Sequence, residues 1–173
     1  MKTLLLAITL LVAACASSPP TMSKEQAAAI VASPDRTAAD RKNDERRKPA
    51  ELLAFIGPRP GMTALDISAS GGYTTELIAR AVGPTGKVIG QSLVPAAGPQ
   101  APPPPAFVER QKNPNFAHMS FVRRPFDDPV PPELKGKLDL VTLMFNYHDM
   151  GHLKVDRDKL NRSVFEGLKP GGM

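Results

Sequence analysis

Thr63-Ala64-Leu65-Asp66-Ile67-Ser68-Ala69-Ser70-Gly71-Gly72-Tyr73-Thr74-Thr75-Glu76-Leu77 runs from apolar residues through an acidic one into small residues and a new helix. That order suits a strand, a tight turn and a helix N-terminus, the form taken by nucleotide-binding crossovers. Small residues let the backbone approach a ligand, and the unpaired N–H groups of the new helix favour polar or anionic groups. Asp66, at the strand end, could accept hydrogen bonds from such a ligand. An ordinary turn that binds nothing is the alternative for the same residues. A second group, Asn146-Tyr147-His148-Asp149, follows the apolar run from Leu138 to Phe145. Open α/β sheets bind ligands at the carboxyl ends of their strands. His148 titrates near neutral pH and is the natural proton acceptor there, with Tyr147 and Asn146 beside it. A loop histidine bonded to Asp149 or to backbone competes with that role. His148, His152 and Asp149 do not make a convincing metal set, and no metal is expected.

The elements that must position these groups follow from punctuation and periodicity. Ser23-Lys24-Glu25-Gln26 reads as a capping box before a short helix stopped by Pro34. Pro49 to Ile56 reads as a helix with proline at its first position and Gly57-Pro58 as its stop. The apolar run to Asp66, a helix over Tyr73 to Val82 and a strand over Lys87 to Gln91 form one βαβ unit. Right-handed crossover makes its two strands parallel neighbours. Pro95 to Pro105 holds six prolines in eleven residues and must be an extended surface loop. Phe107 to Lys112 suits a short helix, Met119 to Arg123 a strand, and Phe126 to Lys137 a proline-rich connection. Leu138 to Phe145 reads as a central parallel strand, which should neighbour the first, and Asp156 to Leu168 as an amphipathic helix.

The turn resembles the first motif of the class I S-adenosylmethionine-dependent methyltransferases, acidic-x-Gly-x-Gly-x-Gly. Asp66 and Gly72 match it, Ser68 and Ser70 stand where the first two glycines belong, and Gly71 is an added glycine. Leu168-Lys169-Pro170-Gly171-Gly172 resembles the turn that precedes the fifth of seven strands in that family. Phe145-Asn146-Tyr147-His148-Asp149 is similar to a group of bacterial predicted methyltransferases. The resemblance covers Pro49 to Met173 and implies a doubly wound, mainly parallel Rossmann-like sheet, incomplete at the C-terminus. It also implies S-adenosylmethionine as cofactor, with Asp66, Ser68, Ser70, Gly71, Gly72, Gln91 and Asp127 as cofactor-binding residues. Asn146, Tyr147 and His148 would border the transferred methyl. A conventional dinucleotide enzyme lacks support: Ser68-Ala69-Ser70 breaks Gly-x-Gly-x-x-Gly, and Gln91 is neutral where an acidic residue should hold a ribose.

Composition sets the remaining bounds. At 173 residues the chain is about one domain long. Nineteen prolines are roughly twice the usual share, and they cluster in loops. The net charge of +5 is modest, and from Asp35 to Lys48 six positive and four negative residues alternate. Mixed signs and no tryptophan argue against nucleic acid as a partner. Residues 1–14 have the build of a secretory signal, and Leu11-Val12-Ala13-Ala14-Cys15 resembles the bacterial lipobox. The expected organisation is a signal peptide over 1–14, a lipidated tether over 15–22, an N-terminal helical segment over 23–48 and a methyltransferase-like domain over 49–173. Lipid on Cys15 would anchor the protein at the periplasmic face, with the outer membrane as destination because Ala16 is not aspartate. Methyl transfer to an unknown small-molecule or envelope acceptor is the implied activity. A catalytically inactive binding module of the envelope is the alternative.

Overall fold

A computed structural model describes residues 22–96 and 98–173. The expected signal peptide, Cys15 and nearly all of the tether lie outside the described residues. Three helices come first: α1 (Lys24–Val31), α2 (Ala38–Arg47) and α3 (Pro49–Ile56). The α/β part follows as β1 (Thr63–Ile67), α4 (Tyr73–Val82), β2 (Lys87–Ser92), α5 (Pro105–Gln111), β3 (Met119–Arg123), β4 (Leu140–Leu143), α6 (Asp149–His152) and α7 (Arg157–Gly167). No helix among the described residues is long and apolar enough to cross a membrane.

The punctuation works as expected at α1, where Ser23 and Gln26 complete a reciprocal capping box. Thr37 caps α2 through its side chain, and Lys48 ends it in the left-handed region at φ +48°, so that Pro49 can open α3 in a new direction. The charged stretch before Pro49 is therefore a helix of its own rather than an extension of α3. Residues 23–48 pack into the domain: Ala27 is buried against Leu53 of α3 and Leu77 of α4.

All strand pairs are parallel, in the order β3-β2-β1-β4. This is the doubly wound arrangement, with β1 at the centre and β4 beside it. Alternation along β1 sorts the core. Ala64 faces α4 and α5 with Val88, Ile78 and Phe107, whereas Leu65 and Ile67 face the other layer with Ile89, Met150 and Leu160. Asp66 shares the face of Ala64. The fourth strand is shorter than the apolar run that encodes it. Asp139 precedes it, its carboxylate accepting from Thr63 N–H and its own N–H donating to the Thr63 carbonyl, each at 2.8 Å, and Phe145 turns the chain at φ +67°.

Candidate functional site

A cavity of about 360 Å³ opens at the carboxyl ends of β1 and β4. The β1–α4 turn supplies Asp66, Ser68, Ser70 and Gly71, and Asn146 enters from beyond β4. The remaining wall is α2, through Asp40, Asn43 and Arg47, together with Arg110 of α5. The sequence reading missed this second wall. Its signal was present in the spacing of 40, 43 and 47, which places three polar residues on one helical face, but a run of mixed charge reads as solvated.

The turn takes the shape that the motif demands, although two glycines are missing. Ser68 has φ +62°, Ser70 φ +49° and Gly72 φ +82°, so the three alternate positions all lie in the left-handed region. For a residue with a Cβ this costs roughly 1–2 kcal/mol. The second strand offsets that strain. Ser68 N–H donates to Gln91 Oε1 at 3.2 Å, Ala69 N–H to the Gln91 carbonyl at 2.8 Å, and Ser70 N–H to Ser92 Oγ at 3.2 Å. Asn146 Nδ2 donates to Ser68 Oγ at 2.7 Å and ties the turn to the end of β4. Beyond the turn, the N–H groups of Tyr73 and Thr74 have no acceptor among the described residues, as expected for the first turn of a helix. Ser70 is exposed and its own hydroxyl makes no hydrogen bond among the described residues. Ser70→Gly should therefore raise stability by about 0.5–1 kcal/mol, the strain relieved less the entropy glycine adds to the unfolded chain. Urea unfolding measures it, and a loss of stability would show that the serine is not strained.

Gly72 serves packing rather than the cavity. A Cβ placed there would lie 2.8 Å from Phe107 Cδ2, and one on Gly90 would lie 2.6 Å from Phe107 Cε2. Phe107 of α5 is wholly buried across these two glycines and meets Phe121 edge-on at 4.8 Å. Gly72 is thus a cofactor residue by motif and a seat for an aromatic ring by geometry.

Asp66 is 2% exposed. Thr75 Oγ1 donates to one carboxylate oxygen at 2.6 Å and Thr142 Oγ1 to the other at 2.8 Å. Burial pushes its carboxyl up to about 6, and the threonine hydrogen bonds only partly oppose this. The residue therefore joins β1, β4 and α4, with one edge on the cavity. Around it the wall is braced by ion pairs. Arg110 forms a two-point contact with Asp40 at 2.7 Å, reaches Glu76, and donates to the Gly71 carbonyl at 2.7 Å. Burial raises the Asp40 carboxyl, but the Arg110 hydrogen bond and charge, with the Thr37 hydrogen bond and the Arg36 charge, together leave it below the usual range. Arg36 holds Asp44 at 2.7 and 2.8 Å, and Tyr73 donates to the same carboxylate at 2.6 Å.

The other expected site residues scatter. Gln91 is fully buried, and both ends of its amide are engaged, by Ser68 N–H and by the Arg124 carbonyl at 2.7 Å. It pins the turn and presents nothing to a ribose. Asp127 is half-buried after β3 and lines none of this cavity. His148 is outside as well, its ring largely in solvent and its Nε2 3.2 Å from Asp149. Tyr147 faces the opposite layer beside Ile67 and Val164. Asn146 alone of the three reaches the cavity.

No family model matches the chain. Among solved structures, a SAM-dependent methyltransferase from Aquifex aeolicus is similar at 18% identity and TM-score 0.59, over 77% of this chain and 67% of that one. A protein-L-isoaspartate O-methyltransferase is similar at 20% identity and TM-score 0.52, over 71% and 33%. A SAM-dependent O-methyltransferase from Thermotoga maritima matches at 18% and 0.52, over 71% and 40%. The chain thus spans between a third and two thirds of these proteins. At such identities the likeness establishes the fold alone: a parallel, Rossmann-like α/β sheet of the kind these methyltransferases have.

Proposed function

We propose that the cavity binds S-adenosylmethionine and that the protein transfers its methyl group to a small acceptor. The observation that carries this reading is the left-handed backbone at Ser68, Ser70 and Gly72 together. A chain that holds two serines in a glycine conformation retains a turn shape that ordinary βα connections do not need, and such strain concentrates at ligand sites. The cavity's size lies within the range of small-molecule pockets, and the N–H groups of Tyr73 and Thr74 suit a carboxylate. At the end of β2 the fit is poorer, since Gln91 is spent on the turn. Bound here, the cofactor would supply an electrophilic methyl on a sulfonium centre. The chain's part is then positioning. Ser68 and Asn146 form one side of the chamber, and with Nδ2 held by Ser68, the Asn146 carbonyl can accept a proton-bearing group of the acceptor. The braced wall of Asp40, Arg110 and Glu76 keeps α2 over the turn.

A binding module without transfer is the second reading, favoured by the position of His148 outside the cavity. Calorimetric titration with S-adenosylmethionine tests the first step. Micromolar binding supports the enzyme, and no heat at millimolar ligand opposes it. Radiolabelled methyl transfer to an envelope extract then separates enzyme from module.

We further propose that the mature protein is lipid-anchored through Cys15 at the periplasmic face of the envelope. Cys15→Ser should move the protein from the membrane fraction to the soluble periplasm. A native protein found wholly in the cytoplasmic fraction would refute the anchor.

A further inference from the structure

Arg47 lines the cavity and Arg46 precedes it on α2, and neither has a carboxylate partner among the described residues. Arg47, the last residue of α2, lies over the Tyr73 ring at 4.9 Å and over the Phe145 ring at 5.0 Å. Arg46 approaches the same Phe145 at 5.9 Å from the exposed side. Rings on the faces of a guanidinium leave its N–H edge as the direction in which it can bind. The Arg47 Nε is buried with no hydrogen-bond acceptor among the described residues, and its charge acts on Asp66, which lines the same cavity. Arg110, the other cation of the wall, is already engaged by Asp40, Glu76 and the Gly71 carbonyl through four hydrogen bonds. Phe145 is brought to the arginines by a left-handed backbone at φ +67°, and the residue is left 45% exposed. A strained backbone thus places an aromatic surface beside Arg47, whose guanidinium lines the cavity.

We propose that Arg47, with Arg46 at the rim, binds the carboxylate of the methyl acceptor, so that the substrate is an organic acid taken up as its anion. The role as acceptor site rests on the methyl-transfer reading, whereas the anion site itself does not. Arg47 supplies the two-point contact, the Phe145 ring covers the acid's apolar body, and Arg46 steers the anion to the mouth.

The test uses the full chain and matched probes. Benzoate and its neutral analogue benzamide are titrated into the protein with and without S-adenosylhomocysteine, with binding read by calorimetry and by NMR. Benzoate should bind and benzamide should not. Arg47→Gln should weaken benzoate about tenfold or more, the loss expected when a charge-assisted two-point contact is removed. Arg47→Lys should recover only part of it, and Arg46→Gln, at an exposed site, should weaken benzoate about two- to threefold at low salt. Affinity for S-adenosylhomocysteine should stay within about twofold in Arg46→Gln, whose side chain is exposed outside the cavity lining. Melting curves confirm that each variant is folded, and Arg46→Gln keeps the test informative if Arg47 variants are not. Equal benzoate binding in wild type and Arg47→Gln would overturn the proposal. So would a variant that loses S-adenosylhomocysteine but keeps 5′-methylthioadenosine, because the arginine would then serve the cofactor's own carboxylate. If the protein binds benzoate through Arg47 yet gives no heat with S-adenosylhomocysteine, the anion site stands and the methyl-transfer reading falls.

Discussion

Gly72→Ala should destabilise the domain by about 3 kcal/mol, a large effect for one methyl group. Two costs add. The residue sits at φ +82°, where a Cβ costs roughly 1–2 kcal/mol. The new methyl would also lie 2.8 Å from Phe107 Cδ2 and 3.2 Å from Arg110 Cδ, and overpacking of that kind costs about 1–3 kcal/mol. A double-mutant cycle separates them. In a Phe107→Val background the ring is gone, so Gly72→Ala should cost only the backbone part, leaving a coupling of about 1–2 kcal/mol. Phe107→Val is itself destabilising by roughly 2–3 kcal/mol, so the cycle is best run by urea unfolding with an added stabilising osmolyte. Full additivity would mean that Phe107 does not define the site. A Gly72→Ala protein with native stability but no ligand binding would return the glycine to the cofactor.

Asp66→Asn should stabilise the protein at pH 8 by up to about 3 kcal/mol, at roughly 1.4 kcal/mol for each tenfold change in proton affinity between the folded and unfolded chain. The carboxyl is raised to about 6 by burial, so the folded state holds a proton that the unfolded chain releases. Its contribution is therefore fully present below the ordinary carboxylate range and is lost as pH rises through about 6. Asparagine keeps an acceptor for Thr75 or Thr142 and never ionises. The difference between wild type and variant should thus grow between pH 4 and pH 7 and level off above. Taking the difference removes the acid-side losses from Asp40 and Asp44, whose carboxyls are held low by Arg110 and Arg36 against their burial. Unfolding at a series of pH values checks it. A difference that is flat across the range would show that Asp66 titrates normally.

What could be read from the residues was whatever depends on local order. Apolar runs at 63–67, 87–91, 119–123 and 138–145 gave four strands, their parallel pairing and the neighbours of β1, because side-chain alternation and right-handed crossover leave few choices. Ser68 and Ser70 could be placed in the motif by count, and their left-handed backbone then follows from the turn the motif makes. Tertiary contact decided the rest. Gln91 lies at the end of its strand, but only the approach of Ser68 and Arg124 reveals that both ends of its amide are taken. The sequence shows His148 next to Asn146, yet a short helix starting at Asp149 turns one into solvent and leaves the other on Ser68. Arg47 lies in a run of ten charged residues among fourteen, which by composition is a solvated surface. Packing of α2 over the turn makes it a wall, because Asp40 and Asp44 find arginines 70 and 8 residues away. Charge spacing along one helix cannot report such partners. A residue's type and its place in an element are encoded locally, but which of its atoms remain unbonded depends on what the rest of the chain brings to it.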